Sequence, residues 1–470
     1  MTTVLGVYTG HDQSACLLRD GEIVVVIEEE RLTRVKHALP DSVRRLWSQF
    51  NGRFGYFPWA SVSYCLDAAG LGIDDLDALV LSEDAAETDV ISILPIKDKR
   101  KVIVASDPPG GAHHYRHALS AFLASGFERS AVLVIDGDGT VTAEGYEAET
   151  GYLFEDRRGA WREVFKNRYP SGGELRSGLG WTYDYASAIL GFVATEIGYL
   201  GEPGKTMGLA PYGGPSPELE APWVAKEGFA LNFEPFHTWL RATGHDRRLR
   251  FDSRELALIQ NEGAISAHAK DLAWKVQHEL EEAVLHLGRE LQAATGATNL
   301  CLAGGVALNS VANGRLAREG LFERVFVHPA ADDRGQAIGL AYQGHQQLTA
   351  RDAQAPAVAP IMHAYGGRTY PDAPTKLLLK RGMLSYRELK GSALARGAAA
   401  KLAEGRIVGW FQGGSEYGPR ALGHRSILAD PRGAHMKDHL NARVKFRESF
   451  RPFAPSVLAE RAAEVFELEG

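Results

Sequence analysis

Short apolar runs alternate with polar turns through the first half of the chain. Val4-Leu-Gly-Val-Tyr8 is followed by Thr-Gly-His-Asp, then by Ser14 to Leu18, a turn at Asp20-Gly21 and a third run from Glu22 to Ile27. The same order returns later: Val132-Leu-Val-Ile135, then Asp-Gly-Asp-Gly-Thr140, a polar strand, a turn at Thr150-Gly151, and Tyr152 to Phe154. Apolar runs of this length bounded by Gly and Asp read as strands joined by tight turns. Helical spacing predicts helices over 114–125, 180–195, 265–295 and 393–404. The third carries Leu272, Val276, Leu280, Ala283, Val284, Leu287 and Leu291 on one face. Strands are expected at 299–303 and 324–328.

The two strand sets read as one design used twice. Such a duplicated α/β unit begins each half of the actin, hexokinase and heat-shock ATPase superfold, where the polar turns face each other across a nucleotide cleft. At 470 residues the chain exceeds one ordinary core. The stretch 346–364, rich in Gln, Ala and Pro, is expected to cross from a domain over 1–350 to a second unit over 365–470.

Composition narrows the function classes. The hydrophobic and charged fractions, 45% and 24%, are those of an ordinary globular protein. Cys16, Cys65 and Cys301 lie too far apart for a disulfide framework or a thiolate metal site, and each reads as a small buried residue of a reducing compartment. No charged segment and h-region open the chain, and no apolar run is long enough to span a bilayer, so a cytoplasmic protein without membrane partners is expected. A net charge of −7 argues against nucleic acid as a partner. The charge is uneven, however. Nine Lys and Arg face four acids between Arg406 and Arg451, a basic island suited to a local anion site.

The chemistry concentrates at a few places. In His113-His114-Tyr-Arg-His117, a helix would set His113 and His117 on one face at i and i+4, close enough to share a divalent ion. His114 with His117 is the competing pair. Asp136 and Asp138, and Asp332 and Asp333, follow strands and are candidate acidic partners. Two His with two Asp make a mixed N/O set suited to Fe(II), Mn(II) or Zn(II). Cys301-Leu-Ala-Gly304-Gly305-Val-Ala-Leu-Asn309 reads as a strand, a turn and a helix start whose amides can cradle a phosphate. Gly198 to Thr206 nearly spells a P-loop, but the spacing is one residue too long and Pro211 follows too soon. In the basic island, Arg420, Arg425, Lys445 and Arg451 sit among Gly and Pro, and Arg forks suit phosphate.

Taken together these segments resemble the O-carbamoyltransferases that include tobramycin-modifying and nodulation-factor enzymes. The matching strings are Gly-His-Asp-x-Ser-Ala (10–15), His-His-x-x-His-Ala-x-Ser-Ala-Phe (113–122), Gly-Lys-Thr-Met-Gly-Leu-Ala-Pro-Tyr-Gly (204–213), Ala-Gly-Gly-Val-Ala-Leu-Asn (303–309), Tyr-Gly-Pro-Arg-Ala-Leu-Gly-x-Arg-Ser-Ile-Leu-Ala-Asp-Pro-Arg (417–432) and Phe-Arg-Pro-Phe-Ala-Pro-Ser-Val-Leu (450–458). The resemblance implies two chemistries. A YrdC-like C-terminal domain would make carbamoyl-adenylate from carbamoyl phosphate and ATP with Mg, gripping carbamoyl phosphate with Arg420, Arg425, Lys445 and Arg451. An N-terminal domain similar to the tRNA threonylcarbamoyl-transfer subunit would hold Fe(II) or a similar metal on His113, His117, Asp136 and Asp333. That domain would pass the carbamoyl group to a hydroxylated small molecule, as in natural-product biosynthesis. Gly304, Gly305 and Asn309 would bind the nucleotide, His11 would act at the acceptor, and a homodimer is a candidate assembly. The family also implies a His-x-Asp-Gly-Thr-x-Arg and an Asn-Thr-Ser-Phe-Asn segment beyond Leu458. Neither occurs in these residues: either the sequence stops short of them or part of the activation site has been lost, so the C-terminal domain is expected to be partial here.

Three other functions compete. A tRNA threonylcarbamoyl-type transferase shares the His pair but calls for a basic groove. A nucleotide-binding regulatory homologue would have lost activation. A sugar kinase fits the superfold but needs no His pair.

Overall fold

A computed structural model describes residues 2–38, 57–83, 90–106, 108–109, 111–193, 201–248, 265–352 and 354–467. The chain divides into two compact units, Met1–Ile361 and Met362–Glu469.

The first unit is α/β and built twice on one plan. β1 (Thr3–Tyr8), β2 (Ser14–Arg19) and β3 (Glu22–Glu28) form an antiparallel meander, and β4 (Ala78–Ser82) and β5 (Val102–Ala105) extend it in parallel on the other side of β1. The order is β3-β2-β1-β4-β5. β6 (Ser130–Ile135), β7 (Gly145–Phe154), β8 (Trp161–Tyr169), β9 (Asn299–Ala303) and β10 (Arg324–Val327) repeat it as β8-β7-β6-β9-β10, with the same parallel and antiparallel pairs. This is the duplicated actin, hexokinase and heat-shock ATPase type of α/β fold.

One hairpin lies elsewhere than the sequence suggested. Thr150-Gly151 is no turn: the strand stays paired through it, Thr150 against Lys166 and Gly151 against Phe165, with a shift of register after Gly151. The chain reverses at Asp156, whose Oδ1 accepts the amides of Arg158, Gly159 and Ala160 at 2.8, 3.0 and 3.1 Å. An Asp side chain that caps its own turn outweighs a Thr-Gly pair without one.

Five helices position the site or flank it. α1 (Ala112–Ser125) packs on β6 and β9, and α5 (Gln336–Thr349) packs on β1, β2 and β4. α1 and α5 also pack on each other, so they lie between the two sheets. α2 (Leu179–Leu190) ends where Gly191 takes the left-handed conformation at φ 92°, short of the expected 195; residues 194 and 195 fall outside the described set. α3 (Ala267–Thr295) starts on Ser266, whose side chain accepts the Ala269 amide, and buries its whole predicted stripe. α4 (Ser310–Arg318) follows the Gly304-Gly305 turn. Helix α5 also takes in 346–349, the start of the expected linker. All three cysteines are free and buried.

The second unit holds α6 (Asp372–Arg381), α7 (Ser392–Ala403) and a two-stranded antiparallel sheet of β11 (Val408–Phe411) and β12 (Arg425–Leu428). No helix among the described residues is long and apolar enough to cross a membrane.

Candidate metal centre

His113 and His117 stand one turn apart near the start of α1, their ring centroids 4.9 Å apart. The helix start is tied down by the His113 amide, which donates to Thr140 Oγ1 at 3.0 Å. Asp136 follows β6 directly, and its amide continues the ladder to the Ala148 carbonyl at 2.9 Å. Asp333 opens the short turn that feeds α5. The fold thus aims one strand-end carboxylate and one at the entry to α5 toward a single helical His pair. His117 Nε2 lies 3.1 Å from both Asp136 Oδ2 and Asp333 Oδ1. His113 Nε2 lies 3.2 Å from Asp333 Oδ1 and 3.8 Å from Asp136 Oδ2. One ligand atom of each residue falls within 4.8 Å of all the others.

The group could hold one divalent cation. His113 Nε2 and Asp136 Oδ2 are buried without an aligned hydrogen bond, although such atoms are costly to leave unpaired. Burial opposes charge on all four residues, yet each is driven toward its charged form. The Asp136 and Asp333 carboxyls are held well below the usual range by the histidines, and the two imidazoles are raised by the carboxylates. Two imidazoles and two carboxylates suit a borderline ion such as Fe(II), Mn(II) or Zn(II).

The neighbouring residues divide the work. His114, on the same helix, turns away to Thr150 Oγ1 at 2.8 Å and is kept neutral by burial, its pKa lowered to about 4. Asp138 pairs with Arg176, whose guanidinium lies 4.7 Å from the Trp181 ring centroid. Asp332 pairs with Arg334. His11 stands at the rim with its side chain 52% exposed, Nε2 3.2 Å from Asp333 Oδ2 and Nδ1 3.0 Å from Asp12 Oδ2. Partial loss of water around the ring lowers its pKa, but Asp333, then Asp12 and Asp136, outweigh this and raise it to about 10. Asp12 is in turn held by His37 Nδ1 at 2.8 Å and Arg334 Nη2 at 2.9 Å.

Gly304 and Gly305 lie against this cluster. A Cβ on Gly304, at φ +85°, would sit 2.3 Å from the Ile135 carbonyl oxygen; one on Gly305 would sit 3.1 Å from Asp136 Oδ1. The turn therefore lies directly against a cluster carboxylate, with the Gly304 amide donating to the Ala331 carbonyl at 2.8 Å. Asn309 is committed to structure. Its Oδ1 accepts the Ala312 amide at 3.1 Å as the cap of α4, and it exchanges hydrogen bonds with Gln277.

The basic residues stand on separate segments of the second unit, Arg425 at the start of β12 and Lys445 at the end of a helical turn. Glu416, 1% exposed, gathers the amides of Leu422, His424 and Arg425 and so shapes the loop that carries Arg420. Arg425 donates to the carbonyls of Gln412, Gly413 and His424 and stacks on Phe411, so it builds the loop as well as presenting charge. Arg451 Nη1 lies 3.6 Å from Glu448, while Arg420 and Lys445 are exposed. Sequence reasoning missed Asp12 and Arg334, which brace His11, and Tyr8, whose hydroxyl reaches Asp333; as a strand-end aromatic, Tyr8 reads as core.

Comparison with known proteins places these features in one family. A sequence model described as carbamoyltransferase N-terminus matches residues 3–92 and 90–342, and one described as carbamoyltransferase C-terminus matches 399–470. Nodulation protein NolNO of Sinorhizobium fredii is 34% identical over 97% of this chain and 64% of its own length. Nodulation protein NolO of Bradyrhizobium diazoefficiens is 38% identical over 76% of this chain and 60% of its own length. The chain thus spans under two thirds of either nodulation protein. Among solved structures, HypF from T. kodakarensis aligns over 76% of this chain and 50% of its own, at 16% identity and a TM-score of 0.45. With family models matched in order across most of its length, the chain belongs to the carbamoyltransferase family.

Proposed function

We propose that this chain moves a carbamoyl group to a hydroxyl of a small molecule, using a divalent metal in its first unit and ATP as the activating co-substrate. The observation that carries this reading is the buried His113, His117, Asp136 and Asp333 group with the Gly304-Gly305 turn beside it: a cation site and a tight turn without side chains in one place. Membership of the family supplies the transferred group. The donor in this reading is carbamoyl-adenylate, made from carbamoyl phosphate and Mg-ATP with the help of Arg420, Arg425, Lys445 and Arg451 of the second unit.

When bound, a metal ion here supplies Lewis-acid polarisation of a carbonyl or phosphoryl oxygen. The chain's own residues do the rest. The Gly304-Gly305 turn, with no Cβ in the way, lets the adenylate phosphate approach the backbone there. His11, at the exposed rim, meets the acceptor. A cation held by His113, His117, Asp136 and Asp333 would offset the carboxylate charge that keeps His11 protonated, and His11 would then serve as base. The hydroxyl oxygen bonds to the carbamoyl carbon, the bond from that carbon to the phosphate oxygen breaks, AMP leaves with the electron pair, and the hydroxyl proton goes to His11 Nε2.

The test loads the full chain with Fe(II) and supplies carbamoyl-adenylate with hydroxylated acceptors. Mass spectrometry then looks for one carbamoyl group in place of a hydrogen. One ion per chain and a His113→Ala variant that loses both metal and transfer are expected. A chain that takes up no divalent ion, or a His113→Ala variant that transfers at the wild-type rate, ends this reading.

A further inference from the structure

Asp333 divides its two oxygens between different neighbours. Oδ1 faces the helical His pair, at 3.2 Å from His113 Nε2 and 3.1 Å from His117 Nε2. Oδ2 faces the opposite way, accepting the Tyr8 hydroxyl at 2.7 Å with His11 Nε2 at 3.2 Å. We propose that Tyr8 is a positioning residue of the metal site: its hydroxyl holds back Oδ2, so that Asp333 offers a cation Oδ1 alone. The inference rests on the metal reading above and adds to it the denticity of one ligand and the residue that fixes it.

Three features hold the phenol in place. Tyr8 is the last residue of β1 and is 3% exposed, so its backbone is fixed by the central strand of the first sheet. Its ring meets the His113 ring edge-on at 6.5 Å. Gly10 covers the hydroxyl so closely that a Cβ there would lie 2.4 Å from the oxygen. The hydroxyl therefore has little freedom to leave the carboxylate. A ligating carboxylate whose second oxygen is tied by a hydrogen bond keeps one orientation, whereas a freed one can chelate and change the coordination number. Loss of such outer partners costs about ten- to a hundredfold in metal affinity.

The experiment titrates the metal-free full chain with Co(II) against a competing chelator and records visible absorption, for wild type, Tyr8→Phe, Gly10→Ala and His113→Ala. Tyr8→Phe is expected to bind Co(II) about tenfold more weakly or worse. Its d–d absorption per bound ion should also fall, because a second carboxylate oxygen raises the coordination number and higher coordination weakens these bands. Gly10→Ala keeps the phenol but pushes on it, and should move both readouts the same way. Tyr8→Phe with wild-type affinity and spectrum overturns the proposal and leaves the metal reading standing. Equal Co(II) binding by His113→Ala and wild type overturns both. If circular dichroism shows that Tyr8→Phe has not folded, Gly10→Ala decides: shifted affinity and spectrum support the proposal, unchanged ones overturn it.

Discussion

Glu149 points into the core from the middle of β7, although its neighbourhood, Tyr-Glu-Ala-Glu-Thr, reads as a polar strand with an exposed face. It is fully buried and accepts the Leu179 amide at 2.9 Å, the Tyr169 hydroxyl at 3.0 Å and Asn167 Nδ2 at 3.2 Å. No cation is among these partners, and burial raises its pKa from 4.5 to about 7. A carboxyl whose folded pKa lies above its unfolded one favours folding most below pH 4.5, and that contribution is lost as pH rises through 7. A shift of this size amounts to about 3 kcal/mol. Urea unfolding of wild type and Glu149→Gln between these limits should show the wild type losing stability relative to the variant as pH rises; parallel curves would refute the assignment. Other residues were easier to read. His113 and His117 announce themselves by helical spacing, and Asp136 and Asp333 by their place after apolar strands. Glu149 and Tyr8 do not: Glu149 meets Asn167, Tyr169 and Leu179 only once the strands and α2 have packed, and Tyr8 reaches Asp333 from the far end of the first unit's sequence. Asn309 was legible as a residue at a helix start, but the fold spends its side chain on the cap.

At the scale of elements, the site depends on how closely α5 approaches its neighbours. A Cβ on Gly6 of β1 would lie 2.2 Å from the Ala337 carbonyl oxygen, and one on Gly339 of α5 would lie 2.5 Å from the Arg116 carbonyl oxygen of α1. Both contacts are with backbone, which cannot swing aside. Gly339→Ala must therefore push α1 and α5 apart, and with them His113 and His117 from Asp333. Overpacking of this kind costs about 1–3 kcal/mol. The expected outcome is a lower unfolding midpoint together with weaker divalent-ion binding; a variant that loses stability but keeps wild-type ion affinity would show that the helix contact does not set the site. Local pattern revealed these elements well where the apolar face was long, as in α3. It misplaced the second hairpin because the deciding group, the Asp156 side chain, acts through three amides rather than through hydropathy. Nor could it show that small residues let α1 and α5 touch, since that contact joins segments more than 200 residues apart.

For the whole molecule, the repeated strand order was legible because each meander is local, whereas the pairing of β6 with β9 closes over a span that includes α2 and α3. That closure brings the Gly304-Gly305 turn to Asp136. The division at Ile361 separates the His and Asp group from the basic turns, and this leads to a prediction about the proposed reaction. If activation and transfer belong to different units, each half-reaction should fail alone. Arg420→Ala is the better probe of activation, because Arg425 also braces its own loop through three carbonyls and its loss would disturb folding. Removing one charge-assisted phosphate contact costs about 1.5–3 kcal/mol, or roughly ten- to a hundredfold in apparent carbamoyl phosphate affinity. Arg420→Ala should show that loss and still transfer from supplied carbamoyl-adenylate. His113→Ala should lose transfer and leave unchanged whatever adenylate formation the wild-type chain supports, followed by carbamoyl-phosphate-dependent pyrophosphate release. If both folded variants lose transfer from supplied adenylate, the basic turns serve transfer as well, and the assignment of one chemistry to each unit falls.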